Sequence, residues 1–133
     1  MNSKFYVSYE AARLLKEKGY RDKTMYGYSS EDQSMNTLDV REDYDWNDPD
    51  DEFYSTETGE YVEMFAAPTK AEAIDWLENK GIVIEIKLLK RGRWRWTIYT
   101  QSELIDSLRE FYEDYKTRLE AEDAAIIKAL ELL

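Results

Sequence analysis

The sequence predicts an α+β fold: a small, mainly antiparallel sheet with a β-hairpin at 82–89/94–100, packed against two short helices and a long C-terminal helix. Three observations carry this expectation. Two segments space apolar residues with helical period between recognisable start and stop signals, "SYEAARLLKEKGY" and "TKAEAIDWLENKGI". One segment, "IVIEIKLLKRGRWRWTIYT", alternates apolar and polar residues about a central Gly. The last 33 residues carry apolar positions at a mean spacing close to the helical repeat. With 133 residues, one domain over 1–133 is expected, large enough to bury a core without covalent staples.

The first helix is expected over 9–18. Ser8 supplies a side-chain oxygen for the orphan N–H groups of the first turn, and Gly19 tolerates the left-handed conformation that ends a helix. Ala11, Leu14 and Leu15 form its apolar stripe. The second is expected over 70–80. Thr69 and Glu72 have capping-box spacing, Pro68 precedes the cap and Gly81 follows the end. Ala73, Ile74, Trp76 and Leu77 supply its buried face. The two segments match at five of eleven positions without gaps. That is either a repeated helix–Gly–strand unit or two ordinary amphipathic helices sharing a stop signal, and the second reading asks for less.

The hairpin register follows from burial. A two-residue turn at Arg91-Gly92 pairs Leu89 with Trp94 and mixes polar with apolar residues on each face. A three-residue loop over 90–92 pairs Leu88 with Trp94, Ile86 with Trp96 and Ile84 with Ile98, which gives one clean apolar face. It also puts Gly92 at the left-handed loop position. Lys87, Arg93 and Arg95 then lie on the opposite face with Glu85.

Thr100 and Glu103 form another capping-box pattern, so the C-terminal helix is expected over 101–132. At 1.5 Å per residue it spans roughly 45 Å, too long for a compact domain of this size. Either it breaks around 120–125 or its end projects, leaving Ile126, Ile127, Leu130 and Leu133 to meet a partner or a second copy of the chain. The expected core is Trp76, Ile84, Ile86, Trp94, Trp96, Ile98, Leu104, Leu108 and Phe111. "KTMYGY" and "EYVEMF" read as short strands joining the hairpin's sheet.

Between those strands, an acidic loop is expected over about 29–59. Its densest part, "DYDWNDPDDE" at 43–52, holds five Asp and one Glu. The net charge of -11 comes mainly from this region: residues 31–63 hold thirteen acids and one base. Such a field repels nucleic acid and attracts cations or basic proteins. Asp43, Asp45 and Asn47 are the candidate metal ligands, since they match the first three ligand positions of a calcium loop. The match fails where Asp48 replaces the turn Gly and Tyr54 replaces the bidentate Glu. Trp46, Phe53 and Tyr54 within the run favour a loop that docks back on the protein.

Cysteine and histidine are both absent, which removes thiol and imidazole nucleophilic systems, zinc fingers and most transition-metal sites. Five scattered glycines form no phosphate-binding loop. No catalytic residue and no cofactor is expected. "KRGRWRW" has nucleic-acid-binding composition, yet the register puts its indoles on the apolar side, so direct nucleic-acid binding is not expected. The first ten residues lack a signal-peptide core, and no segment approaches the ~20 apolar residues of a membrane span, so a cytoplasmic chain is expected.

"SYEAARLLKEKGY" and "FAAPTKAEAIDWLENKGIVIEI" resemble a group of small uncharacterised proteins of phages and integrated mobile elements in gut bacteria. That group shares an early "Y-E-x-A-x-x-L-K-x-x-G-[FY]" helix and an "A-P-x-x-x-x-A-I-D-W-L" helix, here including Ala67, Pro68, Ala73, Ile74, Asp75, Trp76 and Leu77. The resemblance covers about half the chain, implies a phage or prophage context in a bacterial host, and brings no activity. Three functions stay open. One is a non-catalytic interaction protein using the acidic surface (Asp48, Asp50, Asp51 and Glu52) and the C-terminal helix. The others are a nucleic-acid mimic that inhibits a basic protein, and a divalent-cation module.

Overall fold

The structure is a computed structural model and describes residues 2–37, 43–106 and 114–133. It is α+β, with three helices and three small antiparallel sheets among the described residues. After a 3-10 turn at Ser3–Phe5 come α1 (Tyr9–Glu17), β1 (Gly27–Ser29), β2 (Met35–Asn36), β3 (Phe53–Tyr54), β4 (Tyr61–Val62) and β5 (Met64–Ala66). Then follow α2 (Lys70–Asn79), β6 (Val83–Lys90), β7 (Arg93–Tyr99), β8 (Leu104–Asp106) and α3 (Arg118–Glu131). Contacts divide the chain into two compact units, Val7–Pro68 and Met1–Tyr6 with Thr69–Leu133.

In the first unit α1 starts where Ser8 accepts the Ala11 N–H, and it buries Ala11, Ala12 and Leu15. β5 lies against α1 and pairs with β1, which pairs in turn with β2. Tyr9 sets its ring edge-on to Tyr28 and Phe65, at 5.7 and 5.5 Å between centroids. Such pairs add to burial because the positive ring edge meets the negative face. Gly27 is required by packing: a Cβ there would meet the Trp46 ring at 2.4 Å.

In the second unit the capping box at Thr69 is complete, with both reciprocal bonds to Glu72. α2 and α3 pack on each other, and α3 lies on β6 and β7. Ala121, Ala125 and Ala129, one turn apart, allow close approach, while Ile126 and Leu130 fill the remaining space with Trp96, Ile98 and Leu77. Each large apolar side chain so buried contributes about 1.5–3 kcal/mol. The hairpin ladder has the expected register: Ile84 opposite Ile98, Ile86 opposite Trp96, Leu88 opposite Trp94. At the tip a bulge after Leu88 pairs Lys90 with Arg93, so the turn is tighter than a three-residue loop. Gly92 takes φ 73° there, in the left-handed region.

Several expectations need correction. The hairpin's sheet is β6-β7-β8; "KTMYGY" contributes to β1 and "EYVEMF" to β4 and β5, which lie in two other sheets, β2-β1-β5 and β3-β4. The C-terminal helix does not begin near 101. Thr100 does accept the Glu103 N–H as an N-cap would, at 3.1 Å, but its own N–H bonds the Glu103 carbonyl at 2.9 Å. That closes a turn into β8. Helix starts instead at Thr117, whose hydroxyl accepts the Glu120 N–H, and it runs unbroken through 120–125. Ile126 and Leu130, expected to face a partner, are fully buried. Of the expected core, Trp96 and Ile98 are buried, Trp76, Ile84, Ile86 and Trp94 are half-buried, and Leu104 is 44% exposed. Leu108 and Phe111 lie outside the described residues.

Candidate functional site

The chain's charge is concentrated in the first unit, which holds sixteen acidic and six basic residues. Its acidic run is not a loose loop. Two residues inside it point inward. Trp46 is 2% exposed and donates its indole N–H to the Thr24 carbonyl at 3.1 Å. Asn47 is 4% exposed and spends its amide on backbone, donating to the Tyr20 carbonyl at 2.8 Å and accepting the Ala66 N–H at 3.0 Å. Those two bonds tie the run to the end of α1 and to β5. Tyr44 forms a two-way backbone bridge with Thr24. Trp46 stacks on Phe53, with Tyr44 edge-on to both rings.

With this backbone anchored, the carboxylates are held in place. Asp45 takes the Arg21 guanidinium at 2.7 Å, and Asp48 reaches the same group at 3.8 Å. The Asp45 hydrogen bond pushes the Arg21 pKa up, helped by the charges of Asp45, Asp48 and Asp50. Asp48 also accepts the Asp50 N–H at 2.9 Å, Asp51 accepts the Tyr44 hydroxyl, and Glu52 accepts the Tyr54 hydroxyl at 2.6 Å. That last bond raises the Tyr54 pKa, because the neutral phenol is the donor. Asp50, Asp51 and Glu52 are exposed, as is Asp43.

Beside the run, a cleft of about 320 Å3 has Trp46, Phe53 and Met64 on its apolar side and Ser29, Ser55 and Glu31 on its polar side. Tyr54, 57% exposed, stands on its rim and sets its ring edge-on to Tyr61, which is 60% exposed.

Of the candidate metal ligands Asp43, Asp45 and Asn47, two have other partners. Asp45 is committed to Arg21 and Asn47 to backbone, and no group of three or more carboxylates converges at metal spacing among the described residues. On the hairpin, Arg93 and Arg95 both grip Asp114, Arg95 at 2.8 Å. The Arg95 hydrogen bond leads in lowering the Asp114 pKa, with Arg93 adding to it. Of the C-terminal candidates, Ile127 is half-buried and Leu133 exposed, while Ile126 and Leu130 are core. Among the described residues no helix is long and apolar enough to cross a membrane.

No family model, no curated protein and no solved structure matches this chain.

Sequence reasoning did not find Asn47 as an anchor, because its use depends on carbonyls far away in the chain. Trp46 left a signal: an indole inside an acidic run favours a segment that docks back on the protein.

Proposed function

We propose that this chain is a non-catalytic interaction protein whose acidic unit docks on a basic protein partner. One observation carries the reading: the acidic run is anchored by Trp46 and Asn47, so its carboxylates are presented from fixed backbone. Ordering entropy is then spent on folding and not on binding. The neighbouring cleft suits a basic side chain, with its stem against Phe53 and Met64 and its charged head toward Glu31. A phage or mobile-element context in a bacterial cytoplasm belongs to the same reading. The docking surface is the acidic unit without the C-terminal helix, since Ile126 and Leu130 are occupied inside.

The test uses the full chain and a variant with Asp48, Asp50, Asp51 and Glu52 neutralised to Asn and Gln, both as bait in a bacterial lysate. The reading expects a basic protein held by the natural chain at about 0.05 M salt, released at about 0.5 M and ignored by the variant. Equal capture by both baits, or capture indifferent to salt, overturns it. Displacement of that protein by duplex DNA would identify the acidic run as a nucleic-acid mimic.

A further inference from the structure

The second unit has an open sheet edge. In the order β6-β7-β8, β6 pairs only with β7 among the described residues, and it is the longest strand among them, Val83–Lys90. Trp94 exchanges both backbone bonds with Tyr115, at 2.7 and 2.9 Å, on the side of β7 away from β6. Leu88 opposite Trp94 is therefore a non-hydrogen-bonded rung, and rungs alternate along an antiparallel pair. Ile86 and Ile84 are non-hydrogen-bonded rungs too. The N–H and C=O groups of Ile84, Ile86 and Leu88 thus point out along the open edge, and among the described residues no backbone bond from outside the strands reaches them.

The residues on this edge are complementary to themselves. Read backwards about Ile86, Ile84 falls opposite Leu88 and Glu85 opposite Lys87, with Val83 toward the bulge at Leu89. An antiparallel second copy centred on Ile86 places Ile84, Ile86 and Leu88 in hydrogen-bonded rungs, the parity their outward groups require. Glu85 and Lys87 then sit in the closer rungs, so each makes an opposite-charge pair with the other chain. Val83, Leu88 and Leu89 are 42, 52 and 38% exposed in the single chain and gain apolar neighbours. Offset the register by one residue either way and Glu85 loses Lys87. The two-fold axis is perpendicular to the sheet, giving a closed, isologous pair.

The geometry points to β6 as a homodimer interface, joining two copies of β6-β7-β8 into one continuous antiparallel sheet. The occupant of this edge is a second copy of this chain, because the register that pairs Glu85 with Lys87 also pairs apolar residues and is one that hydrogen-bond parity allows. Lys87, which would guard a lone edge against aggregation, here also selects the partner.

Sedimentation of the full chain, with concentration raised to about millimolar, tests this. A concentration-dependent monomer–dimer equilibrium is expected. Glu85→Lys and Lys87→Glu each set like charges across the axis and weaken the dimer about tenfold. Both side chains are exposed, so these variants keep the fold, which circular dichroism checks. An equimolar mixture of the two variants pairs unlike charges again and recovers the dimer. Ile86→Pro deletes an outward N–H, tolerable on an edge strand, and abolishes pairing. A natural chain that stays monomeric throughout, charge variants that associate as tightly as the natural chain, or a mixture that fails to recover would each overturn the proposal.

Discussion

Asp114 shows how one side chain ties conformation to pH. Its carboxylate lies between Arg93 and Arg95 on β7, and it holds the segment leading into α3 beside that strand. The pair of guanidinium groups lowers its folded pKa below the ordinary 3.8. A carboxyl depressed by folding contributes stability above its unfolded pKa, and that contribution is lost as pH falls through the folded value. Stability is therefore expected to decline below about pH 4, and Asp114→Asn should flatten that part of the curve, as followed by urea denaturation across pH. An unchanged acid limb would assign the decline to other carboxylates, Asp32 among them, which Ser34 also stabilises in its charged form.

At the scale of elements, helix ends explain both the successes and the main error of sequence reasoning. The matching segments around Gly19 and Gly81 end in the same way. Tyr20 bonds back to Leu15 at 2.9 Å, and Ile82 bonds back to Leu77 at 3.0 Å. Both glycines have positive φ, and Tyr20 and Ile82 are buried beyond them. This is a six-to-one helix-stop motif used once in each unit. Thr-x-x-Glu occurs three times, at Thr69, Thr100 and Thr117, and caps a helix at the first and third. At Thr100 the same hydroxyl bond serves a turn, since local side-chain bonds stabilise either outcome and packing selects one. Thr117→Ala should cost α3 about 1 kcal/mol, read by chemical denaturation, whereas Thr100→Ala should leave the helix signal in circular dichroism unchanged.

For the molecule as a whole, charge is the dominant long-range term. Sixteen acids against six bases in the first unit leave it repelling itself, with Arg21 and Lys16 as local relief. Screening should therefore stabilise the protein. Raising salt from about 0.01 to about 0.15 M is expected to raise the melting temperature, because the screening length shrinks from roughly 30 to roughly 8 Å. The variant neutralised at Asp48, Asp50, Asp51 and Glu52 should show a smaller rise. A melting temperature that falls with salt would mean that ion pairs outweigh the repulsion.

Information carried by near neighbours was readable along the chain. The starts and stops of α1 and α2 rest on Ser8, Gly19, Thr69 and Gly81, each acting within a few residues. The register of β6 and β7 rests on a period of two and on Gly92. The α+β class follows from those elements together. Tertiary structure alone decided the rest. Whether Thr100 or Thr117 opened the last helix depended on what packed beside it. The sheets separated because β1 found β5 and not the hairpin. Asp45 and Asn47 became anchors because Arg21, Tyr20 and Ala66 come to them from distant parts of the chain. Such contacts depend on closing long loops, and no window of residues records which closure yields the lower free energy.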